Sequence, residues 1–156
     1  MKLSPLHVLI PFICLVGCAS HIPGMSRDQK QIKMVWDECL NALQSKDTVK
    51  MYAFWVQVST EMFIRDATHA GPVLGWKDLK IWEPLLHSLR TVRLKTSQID
   101  IQTSRDDQSA GLAATINFLA KLPTENISGT LFVQVYLIKR GEQWLIVHIN
   151  QSRFPA

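Results

Sequence analysis

Between Ser26 and Leu43, apolar side chains recur at Ile32, Trp36, Cys39, Leu40 and Leu43, the three-and-four spacing of one helical face. Ser26 followed by Gln29 has the form of a capping box, so this pattern predicts a first helix of about five turns whose apolar stripe must face a core. Only Ser45-Lys46 separates it from Asp47 or Thr48, either of which can cap a second helix with Met51, Tyr52, Trp55 and Val56 turned inward. The stretch 60–65 is short and β-prone, and Ala70-Gly71-Pro72-Val73-Leu74-Gly75 has the composition of a loop. A third helix is expected from about Trp76, carrying Leu79, Trp82, Leu85, Leu86 and Leu89, with Pro84 kinking or restarting it.

From Thr91 the period changes to two, and four strands follow. In the first, Val92 and Leu94 share one parity and Ile99 and Ile101 the other, so a β-bulge near Thr96 to Gln98 is needed to keep all four inside a strongly bent strand. The second turns Leu112, Ala114, Ile116 and Phe118 inward, the third Leu131, Val133, Val135 and Leu137, and the last Leu145, Val147 and Ile149. Arg140-Gly141 makes the hairpin between the last two. The opposite parity leaves Phe132, Gln134, Tyr136 and Ile138 beside Trp144, Ile146, His148 and Asn150 on the outer face. An aromatic and apolar surface of this kind marks a protein interface, with Phe132, Tyr136, Ile138, Trp144, Ile146 and His148 as its candidates. Partial cover by the C-terminal Arg153-Phe154-Pro155-Ala156 is the alternative.

The start of the chain follows neither period. After Lys2 it is almost free of charge from Leu3 to Ala19, and its densest apolar stretch runs only from Val8 to Val16. At about 1.5 Å per residue, such a helix is too short for about 30 Å of hydrocarbon, and Pro11 would bend it. A signal peptide fits instead. The run closes on Leu15-Val16-Gly17-Cys18, which resembles the lipobox of bacterial lipoproteins. That resemblance implies cleavage between Gly17 and Cys18 and acylation of the Cys18 thiol. The acyl chains, palmitate included, would hold the protein in a membrane at about 0.8 kcal/mol per buried methylene. Ala19 and Ser20 stand where inner-membrane lipoproteins often carry Asp, so the resemblance points to the outer membrane and a periplasmic domain. The expected organisation is a signal peptide over 1–17, a lipidated Cys and tether over 18–25, and one folded domain over 26–156.

Composition agrees with a single core. The chain has 156 residues, 47% hydrophobic and 19% charged, which excludes disordered, collagen-like and disulfide-scaffold classes. Its 17 Lys and Arg against 13 Asp and Glu form no long basic run, so no nucleic-acid partner is expected. Cys14 would leave with the signal and Cys18 would be acylated, so Cys39 alone remains and no intramolecular disulfide can form. In register with Trp36 and Leu43, Cys39 reads as a small buried hydrophobe rather than a catalytic thiolate. His21, His69 and His87 lack any mutual ligand spacing, and neither a metal nor another cofactor is expected.

Helix, helix, short strand, loop, helix and bent meander is an order that resembles the nuclear transport factor 2-like superfamily, its SnoaL-like members in particular. The similarity rests on Leu43-Gln44-Ser45-Lys46-Asp47, on Gly71-Pro72-Val73-Leu74-Gly75-Trp76, and on Gly141-Glu142-Gln143-Trp144-Leu145-Ile146-Val147-His148. It implies an α+β cone in which three N-terminal helices pack inside a strongly curved, mainly antiparallel sheet. A ligand pocket inside the cone would be lined by Trp36, Phe54 or Trp55, Phe63, Trp82, Phe118 and Val133. Steroid-isomerase-like members use a general-base Asp, a Tyr on helix one and a second acid on the sheet. Here those positions fall on Phe63 or Ile64, on Cys39, and on Gln134 or Val135, none of which does that proton chemistry.

Many SnoaL-like members have a His where His148 stands, but its parity turns it away from the interior. The remaining catalytic candidates are Asp66, His69 and Arg93, which must converge at the cone mouth to serve. The expected function is therefore non-catalytic: binding a small apolar ligand, or docking as a homodimer or against an envelope protein, since superfamily members commonly dimerise through the sheet. The alternatives are an isomerase, dehydratase or hydrolase with atypical groups, and an accessory subunit of an envelope or secretion assembly.

Overall fold

The computed structural model describes residues 24–57, 63–65, 73–74 and 82–153. Helix α1 spans Arg27–Ser45, and both halves of the capping box form at its start. The Gln29 backbone N–H donates to Ser26 Oγ at 3.2 Å, and the Ser26 N–H donates to Gln29 Oε1 at 2.9 Å. Gln29 Nε2 also donates to the Ile101 carbonyl at 2.8 Å, so the residue that starts the helix also ties it to the sheet. Lys46 ends α1 in the left-handed region at φ 60°, and its ammonium reaches the Leu89 carbonyl.

Asp47 is the cap of α2, Thr48–Ala53, accepting from the Lys50 N–H at 2.9 Å. Met51, Tyr52, Trp55 and Val56 are all buried as expected, but α2 ends before the last two. Trp55 instead bridges Ile146 in parallel, with Val56 N–H donating to Ile146 O at 3.0 Å and Ile146 N–H to Phe54 O at 2.8 Å. Helix α3 covers Trp82–Ser88. Pro84 lies in its first turn, where a missing N–H forfeits no intrahelical bond. The expected residues 76–81 of this helix lie outside the described residues.

The strands are β1 Phe63–Arg65, β2 Val73–Leu74, β3 Thr91–Thr103, β4 Ser109–Lys121, β5 Asn126–Arg140 and β6 Gln143–Arg153. They form one sheet in the order β2-β1-β6-β5-β4-β3, antiparallel except where β1 runs parallel to β6. Val73-Leu74, expected as loop, pairs with β1 because two residues suffice to satisfy an edge. Gly141, at φ 60°, opens the two-residue turn between β5 and β6.

Two bulges decide which side chains face the helices. In β3 the register shifts between Thr96 and Gln98, as the parity of its apolar residues predicts, and Ser97 is the extra residue. A second shift separates Tyr136↔His148 from Leu137↔Ile146, making Val147 an extra residue in β6. That bulge corrects the expected faces of β6. Before it, Trp144 and Ile146 point inward and are 3% and 0% exposed, while Leu145 pairs with outward Ile138. After it, Ile149 and Gln151 point inward and His148 points out. Trp144 and Ile146 are therefore core residues, not members of an outer interface.

Candidate functional site

Helical periodicity sets Trp36, Cys39, Leu40 and Leu43 on the face of α1 that looks into the sheet. Opposite them stand Leu94, Ile116, Leu131 and Val133, with Ile149 and Gln151 turned inward by the bulge at Val147 and with Met51 and Trp55 closing the side. These twelve residues enclose an apolar cavity of about 160 Å³. The short side chain of Val133 on β5 leaves part of this space unfilled, whereas Trp144 and Ile146 fill the other half of the core.

The polar groups at this cavity are few. Trp36 Nε1–H donates to Thr96 Oγ1 at 3.3 Å. Among the described residues, Trp55, only 3% exposed, has no hydrogen-bond partner for its Nε1–H. Leaving such a donor unmet costs about 1–3 kcal/mol. The Cys39 thiol lies beside it; burial pushes that thiol up to about 12, and the Trp55 indole offsets a part of the shift. At neutral pH the thiol is thus neutral and a poor nucleophile. Just behind, burial raises the Tyr52 phenol, and Glu83 of α3 raises it further.

At the far end of α1, Asp28 Oδ1 accepts from Lys139 Nζ at 2.8 Å and from Trp144 Nε1 at 3.0 Å. The Lys139 ammonium sits 5.6 Å from the centre of the Trp144 ring. The hydrogen bonds from Lys139 and Trp144 hold the Asp28 carboxyl below the usual carboxylate range. A wider, open hollow of about 470 Å³ runs between α1 and the edge strand β3, lined by Lys33, Asp37, Asn41, Gln44 and residues 94–99. Lys33 and Asp37 neutralise each other there, and Gln44 Oε1 accepts from the Leu94 N–H at 2.9 Å, so its walls bond to themselves.

Of the expected pocket residues, Trp36, Trp55 and Val133 meet at the 160 Å³ cavity. Phe118 does not join them: it is half-buried over Gly129, where an added Cβ would come within 3.0 Å of its ring. Phe63 and Trp82 fall in β1 and α3, but their side chains lie outside the described residues, as do Gly17, Cys18, Asp66 and His69 altogether. Arg93 is exposed on β3 with parity opposite to Leu94, so it points away from the interior rather than to a cone mouth. On the outer face, Tyr136 is 46% exposed and Phe132, Ile138 and His148 are half-buried. Burial lowers the His148 imidazole below its usual value. Gln151, which the strand pattern passed over, reaches the cavity through the same bulge that buries Trp144.

Among the described residues there is no group of three or more His, Cys, Asp and Glu able to hold a metal, and no helix long and apolar enough to cross a membrane. No family model and no curated protein sequence matches the chain. Solved structures do. A nuclear transport factor 2-like superfamily protein from Salmonella enterica serovar Typhimurium is 16% identical, with 83% of this chain and 92% of that one covered and a TM-score of 0.73. A proposed dehydratase of the same fold family from Streptomyces avermitilis is 10% identical, with coverages of 83% and 98% and a TM-score of 0.72. LinA is 11% identical, with coverages of 81% and 85% and a TM-score of 0.69. The chain therefore has the nuclear transport factor 2-like fold, an α+β cone. At these identities the likeness reaches the fold and not the chemistry.

Proposed function

We propose that this protein is an outer-membrane lipoprotein, anchored through Cys18 and facing the periplasm, whose cone binds a small apolar molecule without transforming it. The observation that carries the binding reading is the 160 Å³ cavity, whose walls are apolar apart from a few neutral groups. Among the described residues that line it, the one titratable side chain is Cys39, held protonated by burial. Proton transfer needs a group poised near the working pH, and the thiol is far from it. The anchor rests on Leu15-Val16-Gly17-Cys18. On the outer face, Phe132, Tyr136, Ile138 and His148 are the patch through which a second copy or an envelope protein would dock.

The test has two arms. In cells, the full chain should sediment with membranes and yield an acylated N-terminal peptide by mass spectrometry, and Cys18→Ser should release it. In detergent, saturation-transfer NMR should detect styrene, a single-ring apolar probe, on the purified protein. An unacylated, soluble wild-type chain would overturn the anchor; absence of any single-ring ligand from the cavity would overturn the binding reading. The likeness in fold to a proposed dehydratase keeps an isomerase, dehydratase or hydrolase as the second reading, and turnover of a bound ligand would decide for it.

A further inference from the structure

We propose that the β3 edge of the sheet pairs with the same edge of a second copy of this chain, antiparallel about a two-fold axis, with Leu94 opposite Ile101 and Thr96 opposite Ile99. This contact lies apart from the cavity and from the outer-face patch, and rests on neither. β3 is the last strand of the sheet, and among the described residues no strand pairs with its outer side. Two glutamines of α1 mark which backbone groups point outward there: Gln44 accepts from the Leu94 N–H at 2.9 Å, and Gln29 donates to the Ile101 carbonyl at 2.8 Å. Alternation then turns the Thr96 backbone outward with Leu94 and the Ile99 backbone outward with Ile101, the phase changing at the extra residue Ser97. The hollow of about 470 Å³ runs along residues 94–99, so α1 leaves room beside them.

The bulge selects the occupant. Outward groups recur at every second residue of a regular strand, so such a strand laid on this edge loses phase at Ser97. A second copy meets the step from Thr96 to Ile99 with its own step from Ile99 to Thr96, and phase is kept on both sides of the axis. Each glutamine then gives way to the group it imitates: the Leu94 N–H passes from Gln44 to the Ile101 carbonyl of the second copy, which is released by its own Gln29. Charge agrees with the same register. The charged residues of β3 are Arg93, Lys95 and Asp100, all exposed. Lys95 comes to stand opposite Asp100 of the second copy at two symmetric sites, in a pair that makes no backbone bonds and so brings side chains closest, and no like charges face each other. Gln102 Nε2 donates to Asp100 Oδ2 at 3.1 Å, leaving Oδ1 to the lysine.

Sedimentation equilibrium of the full chain in density-matched detergent reads the dimer directly. Lys95→Asp alone and Asp100→Lys alone each set like charges face to face at both symmetric sites, and each should weaken the wild-type dimer by about fivefold or more. Mixed in equal amounts, the two variants should associate as strongly as wild type, because unlike charges then meet again at both sites. Gln44→Ala removes the acceptor that competes for the Leu94 N–H and should tighten the dimer. Lys95 and Asp100 are exposed, so their reversal leaves the core untouched, and the recovery on mixing excludes misfolding as the cause of any loss. A chain that stays monomeric at every concentration would overturn the pairing. So would a dimer that ignores both charge reversals and dissolves with Tyr136→Glu, which would put the second copy on the outer face instead.

Discussion

The two halves of α1 meet the sheet by opposite means. At the N-terminal end, Asp28 takes two hydrogen bonds, from Lys139 and Trp144, and the Trp144 ring fills the space beneath them. Three turns on, Trp36, Cys39, Leu40 and Leu43 face a space that their partners do not fill, beside an indole donor without an acceptor. Natural proteins keep buried polar groups paired and cores dense, and depart from both at functional sites. The contrast therefore separates a region that holds the fold together from a region left for something else to complete.

The largest effect should come from truncating the two buried tryptophans that represent these regions. Trp144→Ala removes a close-packed ring and the N–H that Asp28 accepts, and should cost about 3–5 kcal/mol in urea denaturation. Trp55→Ala removes a ring that already borders a void and a donor that is unmet, so it should fall at or below the low end of that range. Equal losses would erase the distinction between the two regions.

A finer test makes the same change at two neighbouring inward positions of β5. Val133 and Val135 are 2% and 3% exposed, but only Val133 lines the cavity. Val135→Leu should overpack and cost about 1–3 kcal/mol. Val133→Leu extends into free space and should stabilise the protein by about 0.5–1 kcal/mol, with a matching loss of ligand affinity. Opposite signs in thermal unfolding would sharpen the comparison; the same sign at both would break it.

The bulge in β3 was legible because polar residues separate two apolar pairs of opposite parity, Val92 with Leu94 and Ile99 with Ile101. The bulge in β6 was not, because Trp144-Leu145-Ile146-Val147 is apolar at every position and alternation has nothing to choose between. There the choice belongs to tertiary packing: Asp28 of α1 accepts the Trp144 N–H, and the backbone at Phe54 and Val56 pairs with Ile146. For the same reason alternation sets Trp144 and Ile146 on the wrong face, whereas Gln151, which shares the parity of Ile149, is hidden only by being polar. The unmet N–H of Trp55 has no sequence signature at all, since Trp36 has the same side chain and a partner in Thr96.

The smallest expected effect is also the one that assigns each region its own pH range. Asp28 has a folded-state pKa below 3.8, so its hydrogen bonds stabilise the protein fully above that value and are lost as pH falls through the folded one. Asp28→Asn keeps a side-chain acceptor but cannot titrate, so the fall in melting temperature below pH 4 should be shallower than in wild type. Asp106, also held low, by the Ser104 hydroxyl and the Gln108 N–H, acts alike in both proteins and cancels. Cys39 behaves in the opposite sense: its folded pKa is raised from 9.0 to about 12, so its contribution is complete below 9.0 and declines as pH rises toward 12. Cys39→Ala should therefore flatten the alkaline limb and leave the acid limb alone, with Tyr52 supplying the alkaline slope that remains. If Asp28→Asn altered the alkaline limb, or Cys39→Ala the acid one, the two halves of α1 would be a single coupled unit rather than a clasp and a cavity.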